Sequence, residues 1–300
     1  MRRLIYIFII GLLLCSYTWA DGSRYASKSL LSEGKWVKIR VDKTGIYKLS
    51  YADLKNMGFS DPSKVSVHGY GGWPLDEDLS KEYIDDVPST PVWRGSDYLL
   101  FYGKGPVKWE YDSSSQTFVH TNNPYSLYGY YFVTDATPTN DMTSVAQASG
   151  ASTRITTYDD YLLHEQELVS VNQSGREFFG EDFSGARPRT ISTFSSIPGI
   201  TDADGKVTMR FISRINSGSG TASLSINDSE LLDITIPSIQ TVSSNVRSYT
   251  KAIPGTTTAL WKGSKSEKNN VVVSYSSSGH TNVRLDYIRM QFVRTLRPYG

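Results

Sequence analysis

Four histidines, His68, His120, His164 and His280, are the side chains best suited to move protons or bind a metal near neutral pH. They are scattered along the chain, and no pair has a ligand spacing such as H-x-x-x-H. No metal or cofactor site is read from them. Two pairs of adjacent carboxylates, Asp85-Asp86 and Glu181-Asp182, offer acid–base chemistry, but neighbours on a strand point to opposite faces and so do not share a proton. A glycosidase needs two carboxylates about 5–10 Å apart across a sugar, and no spacing here announces such a pair. There is no G-x-S-x-G elbow. The glycines of "HGYGG" (68–72) do not form a phosphate loop, because no helix follows and no Lys-Ser or Lys-Thr closes the motif. Cys15 is the only cysteine. No catalytic residue is assigned.

One stretch resists a simple assignment. In "SGREFFGEDF" (174–183), Gly175 and Gly180 bracket Arg176, Glu177, Phe178 and Phe179, and Glu181, Asp182 and Phe183 follow. The glycines permit turns that other residues resist. Arg176 is placed to pair with Glu177, Glu181 or Asp182. The three rings offer apolar area worth roughly 2–3 kcal/mol each if buried. The segment is expected to be a structural joint locking a β-sandwich onto the region before it; the alternative is a surface for a partner or for a catalytic domain. Trp73, Trp93, Trp109, Tyr128, Tyr130 and Tyr131 are either core residues or a sugar-stacking platform.

The elements that must position these residues are mostly strands. Twenty tyrosines, mixed charges with a formal net of +1, and abundant Ser, Thr and Gly fit an all-β extracellular protein and exclude a nucleic-acid surface or polybasic membrane patch. "KWVKIRV" (35–41) alternates as a half-buried strand, "DKTG" (42–45) turns, and "IYKL" is expected to pair back as a hairpin. One short helix follows, capped by Ser50 with Asp53 three residues on, stapled by Leu49 and Leu54, and stopped at Gly58. Strands are expected at 64–72, at 96–112 on both sides of a Gly-Pro turn, and at 126–135. Residues 136–157 look like a linker, and 158–171 like a segment with a short helical turn. Six further strands are expected at 206–215, 221–227, 230–236, 246–253, 270–275 and 282–293, an antiparallel β-sandwich of jelly-roll type. In the last of them the apolar phase slips between Tyr287 and Ile288, the mark of a bulge or of a strand buried on both faces. The division is thus a leader at 1–20, an N-terminal β-rich domain at 21–160 with one short helix, and a β-sandwich domain at 161–300.

"WVKIRVDKTGIYKLSYADLKNMGF" (36–59), "VSVHGYGG" (65–72), "GSDYLLFYGKGPVKWEYD" (95–112), "NPYSLYGYYFVTD" (123–135) and "SGREFFGEDF" (174–183) occur in one order. Together they resemble the N-terminal, non-catalytic part of the type IX secretion sortases, surface members of the gingipain family of cysteine peptidases in Bacteroidetes. The resemblance implies that a caspase-like domain with a Cys–His pair follows in the complete protein. It also implies that the complete protein removes C-terminal sorting signals from cargo and attaches that cargo to the cell surface. None of the family's catalytic residues has a counterpart in this chain. The leading domains would then be a scaffold, a propeptide-like cover or a docking surface. Their partners would be the catalytic domain and outer-membrane secretion components. The alternative outside that family is an extracellular carbohydrate-binding sandwich.

The start of the chain points to export. Arg2 and Arg3 precede an apolar run from Leu4 to Leu14, too short to span a bilayer, and Thr18 and Ala20 supply the small residues that a signal peptidase reads. Leu14 fits poorly before a lipidated Cys15. Cleavage is expected between Ala20 and Asp21, leaving a chain without thiols at the cell surface or outside the cell. N-terminal sequencing of the exported product checks this; a product starting at a lipidated Cys15 would refute it.

Overall fold

The computed structural model describes residues 25–299 except 79, 82–83, 148, 172–174, 176, 186, 216–217, 240–251 and 278–280. The expected leader, Arg176, His280 and most of the strand expected at 246–253 lie outside the described residues. Two compact units emerge: one runs to Lys108 and includes Thr121–Val145, the other comprises Trp109–His120 and everything from Ala146 onward. The segment Trp109–His120, which falls within the first region in sequence, packs with the second. No helix among the described residues is long and apolar enough to cross a membrane.

The first unit contains β1 (Val37–Val41), β2 (Gly45–Ser50), β3 (Ser66–His68), β4 (Ser89–Thr90), β5 (Val92–Arg94), β6 (Tyr98–Gly103) and β9 (Gly129–Thr134). Between them lies the hairpin of β7 (Val107–Asp112) and β8 (Thr117–Asn122), whose far part belongs to the second unit. Helix α1 (Tyr51–Asn56) begins as its residues dictate: the Ser50 hydroxyl accepts from the Asp53 N–H, Leu54 is buried with Leu49 beside the same core, and Gly58 turns out at φ +88°.

The expected hairpin of the first two strands does not form. β1 pairs with β9, and β2 pairs with β6, so the turn at 42–45 carries the chain from the sheet β1-β9-β3-β4 to the sheet β2-β6-β5. Side chains hold that turn in place of a ladder. The Tyr47 hydroxyl accepts from the Lys43 N–H, and the Thr44 hydroxyl accepts from the Gly105 N–H. The crossing lets Val41, Phe101, Tyr131 and Val133 join Leu54, Phe59 and Val65 in one core.

Backbone proximity explains several of this unit's glycines. A Cβ on Gly72 would lie 2.7 Å from the Gly129 Cα and 2.8 Å from the Gly105 carbonyl carbon. On Gly129 it would lie 2.3 Å from the Lys104 carbonyl oxygen. The three turns meet through bare backbone, and the Gly72 N–H donates to that same Lys104 oxygen.

The second unit adds β10 (Thr157–Glu165), β11 (Arg189–Thr190), β12 (Gly205–Ile215), β13 (Ser219–Ile226), β14 (Ser229–Pro237), β15 (Ile253–Trp261), β16 (Val271–Ser277) and β17 (Thr281–Thr295). They form two four-stranded antiparallel sheets, ordered β10-β17-β12-β15 and β11-β16-β13-β14. Numbered along the unit, that is 1-8-3-6 against 2-7-4-5, the jelly-roll order. The sheets enclose Phe194, Met209, Phe211, Leu224, Val273, Ile288 and Phe292.

Two expectations are corrected here. Residues 157–165 are a nine-residue strand along β17, with no helical turn, because Tyr158, Asp160, Leu162 and His164 alternate inward against exposed neighbours at its start. The edge strand β15 continues through Pro254 and Gly255 to Trp261; proline is tolerated where one side of the strand makes no ladder. The slip in the last strand is a bulge at Asp286: Arg210 faces Tyr287 and Phe211 faces Leu285, leaving Asp286 unmatched.

Replacing Gly129 by Ala should push the turns at 72 and 104–105 apart. We expect a loss of about 2–4 kcal/mol in chemical denaturation, in the range of overpacked, well-filled sites. Gly150→Ala, where an added Cβ meets nothing within 4 Å, is the control for a glycine with φ +81° and should cost less.

Candidate functional site

The stretch 174–183 takes over where β10 leaves off. β10 pairs with β17 as far as Glu165 opposite Tyr287. The chain then loops out and returns, so that the Gly180 N–H donates to the Leu285 carbonyl, the Leu285 N–H to the Glu181 carbonyl, and the Phe183 N–H to the Val283 carbonyl. Phe179 bridges Val169 in the loop itself. Gly175 turns at φ +71°, the left-handed region that favours glycine. Gly180 lies close to its neighbours, with an added Cβ 3.2 Å from the Gln166 carbonyl oxygen.

The side chains of this stretch divide between two faces. Phe179 is buried with Ile212, Ala252 and the half-buried Val171; Phe183 is buried in the main core, edge-on to Phe211 at 5.2 Å. All of these neighbours belong to the second unit itself. Phe178 is half-buried. Of the carboxylates expected to meet Arg176, Glu181 contacts His164, Asp182 lies 3.4 Å from the Arg284 guanidinium, and Glu177 lies 3.9 Å from that of Arg210.

His164, on β10, stands between Glu181 and Thr193. Its Nε2 is 2.7 Å from Glu181 Oε1, and its Nδ1 is 2.8 Å from the Thr193 hydroxyl. Burial pushes the Glu181 carboxyl up, yet the His164 hydrogen bond and its own backbone bond outweigh this and leave it below the usual carboxylate range. The hydroxyl, imidazole and carboxylate are in line, the composition of a catalytic triad, and sequence spacing hid it because the three lie on separate segments. Its geometry also suits a plain structural bridge, with the ring packed against Phe194 at 6.4 Å.

One strand step away, on the outer face of the same sheet, a second charge cluster surrounds the bulge. Asp286 is buried and bonded to Arg210. Glu165 lies 3.1 Å from His120 Nε2, and His120 Nδ1 is 3.4 Å from Arg289 Nη1. The hairpin supplies the lid: Trp109 stacks on Tyr161 at 4.0 Å, and His120 meets Tyr287 edge-on at 4.6 Å. The third histidine, His68, is structural, 2.8 Å from the Thr137 hydroxyl and 5.3 Å from the Trp36 ring. Asp86 accepts from the Ser29 hydroxyl and Leu30 N–H, tying down residues 29–30.

The six aromatics make no common platform. Tyr131 is core, Trp93 sits on β5 against Tyr98, and Trp109 is in the second unit. Tyr130 and Tyr128 face the cations of Lys38 and Arg40 across β1 and β9, and Trp73 faces Lys104. Among the described residues no group of three His, Cys, Asp or Glu side chains is placed to hold a metal ion.

Burial raises the Asp286 carboxyl to about 6; Arg210 opposes the shift, and Glu165 and Glu177 add to it. A carboxyl that ionises less readily in the folded state stabilises that state below its unfolded value of 3.8 and loses the contribution as pH rises through about 6. Asp286→Asn lacks this loss. Its stability relative to the parent should therefore rise between about pH 4 and pH 7, by no more than about 3 kcal/mol, read by urea denaturation. A relative stability that falls over that interval would mean that the Arg210 pair outweighs burial.

No protein-family model matches the chain, and no curated protein matches it. Two solved carbohydrate-binding modules align with part of it: one from Cellvibrio mixtus lichenase 5A (12% identity, 42% of this chain and 85% of that one, TM-score 0.23), the other from a Zobellia galactanivorans laminarinase (12%, 44% and 98%, 0.23). Likeness that low carries no argument. The crystal structure of dimeric latent PorU from Porphyromonas gingivalis aligns at TM-score 0.76 with 35% identity, over 92% of this chain and 26% of that one. The chain thus spans about a quarter of that protein's length. Both units fall within one alignment at an identity far above that of chance β-sandwich resemblance, and the chain is therefore a PorU-related, all-β region.

Proposed function

We propose that this chain is the non-catalytic N-terminal region of an exported, gingipain-like cysteine peptidase that acts as a type IX secretion sortase at the cell surface. The observation that carries the proposal is the match over 92% of this chain to only 26% of latent PorU. A region that accounts for a quarter of a peptidase, and has no cysteine beyond Cys15, serves the enzyme without being its engine. In the complete protein a following domain would supply the Cys and His, cut C-terminal sorting signals from cargo and join the cargo to the surface. The related structure is that of a latent enzyme; in this reading the leading region holds that domain in position, with the 174–183 segment as a fixed edge of the sandwich.

Residues 21–300, purified, are expected not to cleave peptides bearing type IX sorting sequences and to be indifferent to thiol-directed inhibitors. A version extended through the following domain is expected to cleave them and to be inhibited. Cleavage by residues 21–300 that is lost in His164→Gln or Thr193→Ala would overturn the proposal and make the Thr193–His164–Glu181 line its active site.

A further inference from the structure

The hairpin of β7 and β8 covers only part of the outer face of the sheet β10-β17-β12-β15. Between its tip and the edge strand β15 a groove of about 340 Å³ remains, within the range of small-molecule sites. Its floor is β12 and β17, its walls are Thr117 on one side and Thr256 and Thr258 on the other. Both charged residues that line it, Lys206 and Arg289, are cations.

Arg289 is the unusual member. It is 8% exposed, and among the described residues no carboxylate forms an ion pair with it. Glu165, the acid that acts on it from farther away, is held by His120. The His120 ring stands between the two, Nδ1 3.4 Å from Arg289 Nη1 and Nε2 3.1 Å from Glu165 Oε2, and so backs the guanidinium from behind. Arg210, the next cation along β12, is already matched by Asp286. Burying a guanidinium without a carboxylate to balance it is costly, and burial accordingly lowers its affinity for its proton. Lys206 ties down the hairpin through the Ser115 and Gln116 carbonyls, at 2.8 and 3.0 Å, and keeps its charge beside the groove. The Thr208 hydroxyl of the floor and the Thr258 hydroxyl of the wall are 2.9 Å apart, so the groove is furnished with hydrogen-bonding groups.

We propose that this groove is a binding site for an oxyanion-bearing ligand, a carboxylate, sulfate or phosphate group, seated on the Arg289 fork with the threonine hydroxyls of β12 and β15 around it. A planar guanidinium matches such a group through two parallel hydrogen bonds, and Lys206 adds a second positive charge. The site is independent of the peptidase assignment, since it needs no group outside the second unit.

The test is titration of the purified chain at low ionic strength with sodium sulfate, inorganic phosphate, D-glucuronate and D-glucose, followed by calorimetry and by amide chemical shifts. At least one of the three oxyanions should saturate, with shifts centred on Thr208, Thr256, Thr258 and Arg289, and D-glucose should not. The anion that binds tightest identifies the source: glucuronate an acidic sugar, sulfate or phosphate an ester or the free ion. Arg289→Gln should weaken binding about tenfold or more, the worth of a charge-assisted hydrogen bond. Thr256→Trp, at an exposed position of the edge strand, should abolish it by filling the groove without touching the core. The proposal is overturned if no oxyanion saturates, if D-glucose binds as well as glucuronate, or if a correctly folded variant binds like the parent.

Discussion

The second unit depends on one irregularity in one strand. β17 runs for fifteen residues, about 50 Å, through the middle of its sheet, with β12 on one side for most of that length. A strand that long, with strict alternation, would present one parity to the core throughout. The unpaired Asp286 breaks the parity: Val283 and Leu285 face the core before it, and Ile288, Met290 and Phe292 after it. The bulge lets a single long strand stay in register with a twisted partner and still bury apolar groups at both ends. It also sends Tyr287 and Arg289 to the outer face, where an uninterrupted strand would have sent their neighbours.

The other features of the unit follow from that geometry. β10 covers the side of β17 from Thr295 to Tyr287 only, which is the part after the bulge. The part before it needs separate cover, and residues 180–183 provide it, with Arg284 reaching back to the Gly180 carbonyl at 3.0 Å. The outer face after the bulge is polar and aromatic, so it needs a lid, and the hairpin of β7 and β8 supplies Trp109, Phe118 and His120. Asp286 is held in a low-dielectric place by backbone pairing on either side of it. Arg210 is the cation that makes this tolerable.

What could be foreseen from the residues was local. Helix α1 was legible because its start and stop are written within nine residues, Ser50 to Gly58, and need no distant partner. Most sandwich strands were legible because each carries its own alternation. The slip near Tyr287 was visible as a change of phase; its exact residue was not, because an unpaired Asp is identified only by what lies opposite. Pairing was the main loss. "DKTG" between two alternating runs reads as a hairpin, yet Tyr47 and Thr44 divert the turn and the two strands join different sheets. β10 was missed because its apolar residues are few and half-buried, and β15 because Pro254 and Gly255 stand at its start. The His164, Glu181 and Thr193 contacts, and the Arg289 groove, are assembled from segments far apart in sequence. No spacing rule finds such sites.

The first unit shows the same dependence on distant contacts in a different material. Its glycines at 72, 105 and 129 have no common sequence motif, and each alone suggests only a turn. Their shared reason is close backbone approach: a Cβ on Gly72 or Gly129 would collide with the other and with residues 104–105, and one on Gly105 would collide with Lys43 and Thr44. Such a junction constrains four separated stretches together, at 43–44, 72, 104–105 and 129, and those stretches belong to the same ordered motifs that resemble the sortases. Close backbone approach thus fixes the turns of the first unit, as the bulge in β17 fixes the sheet of the second.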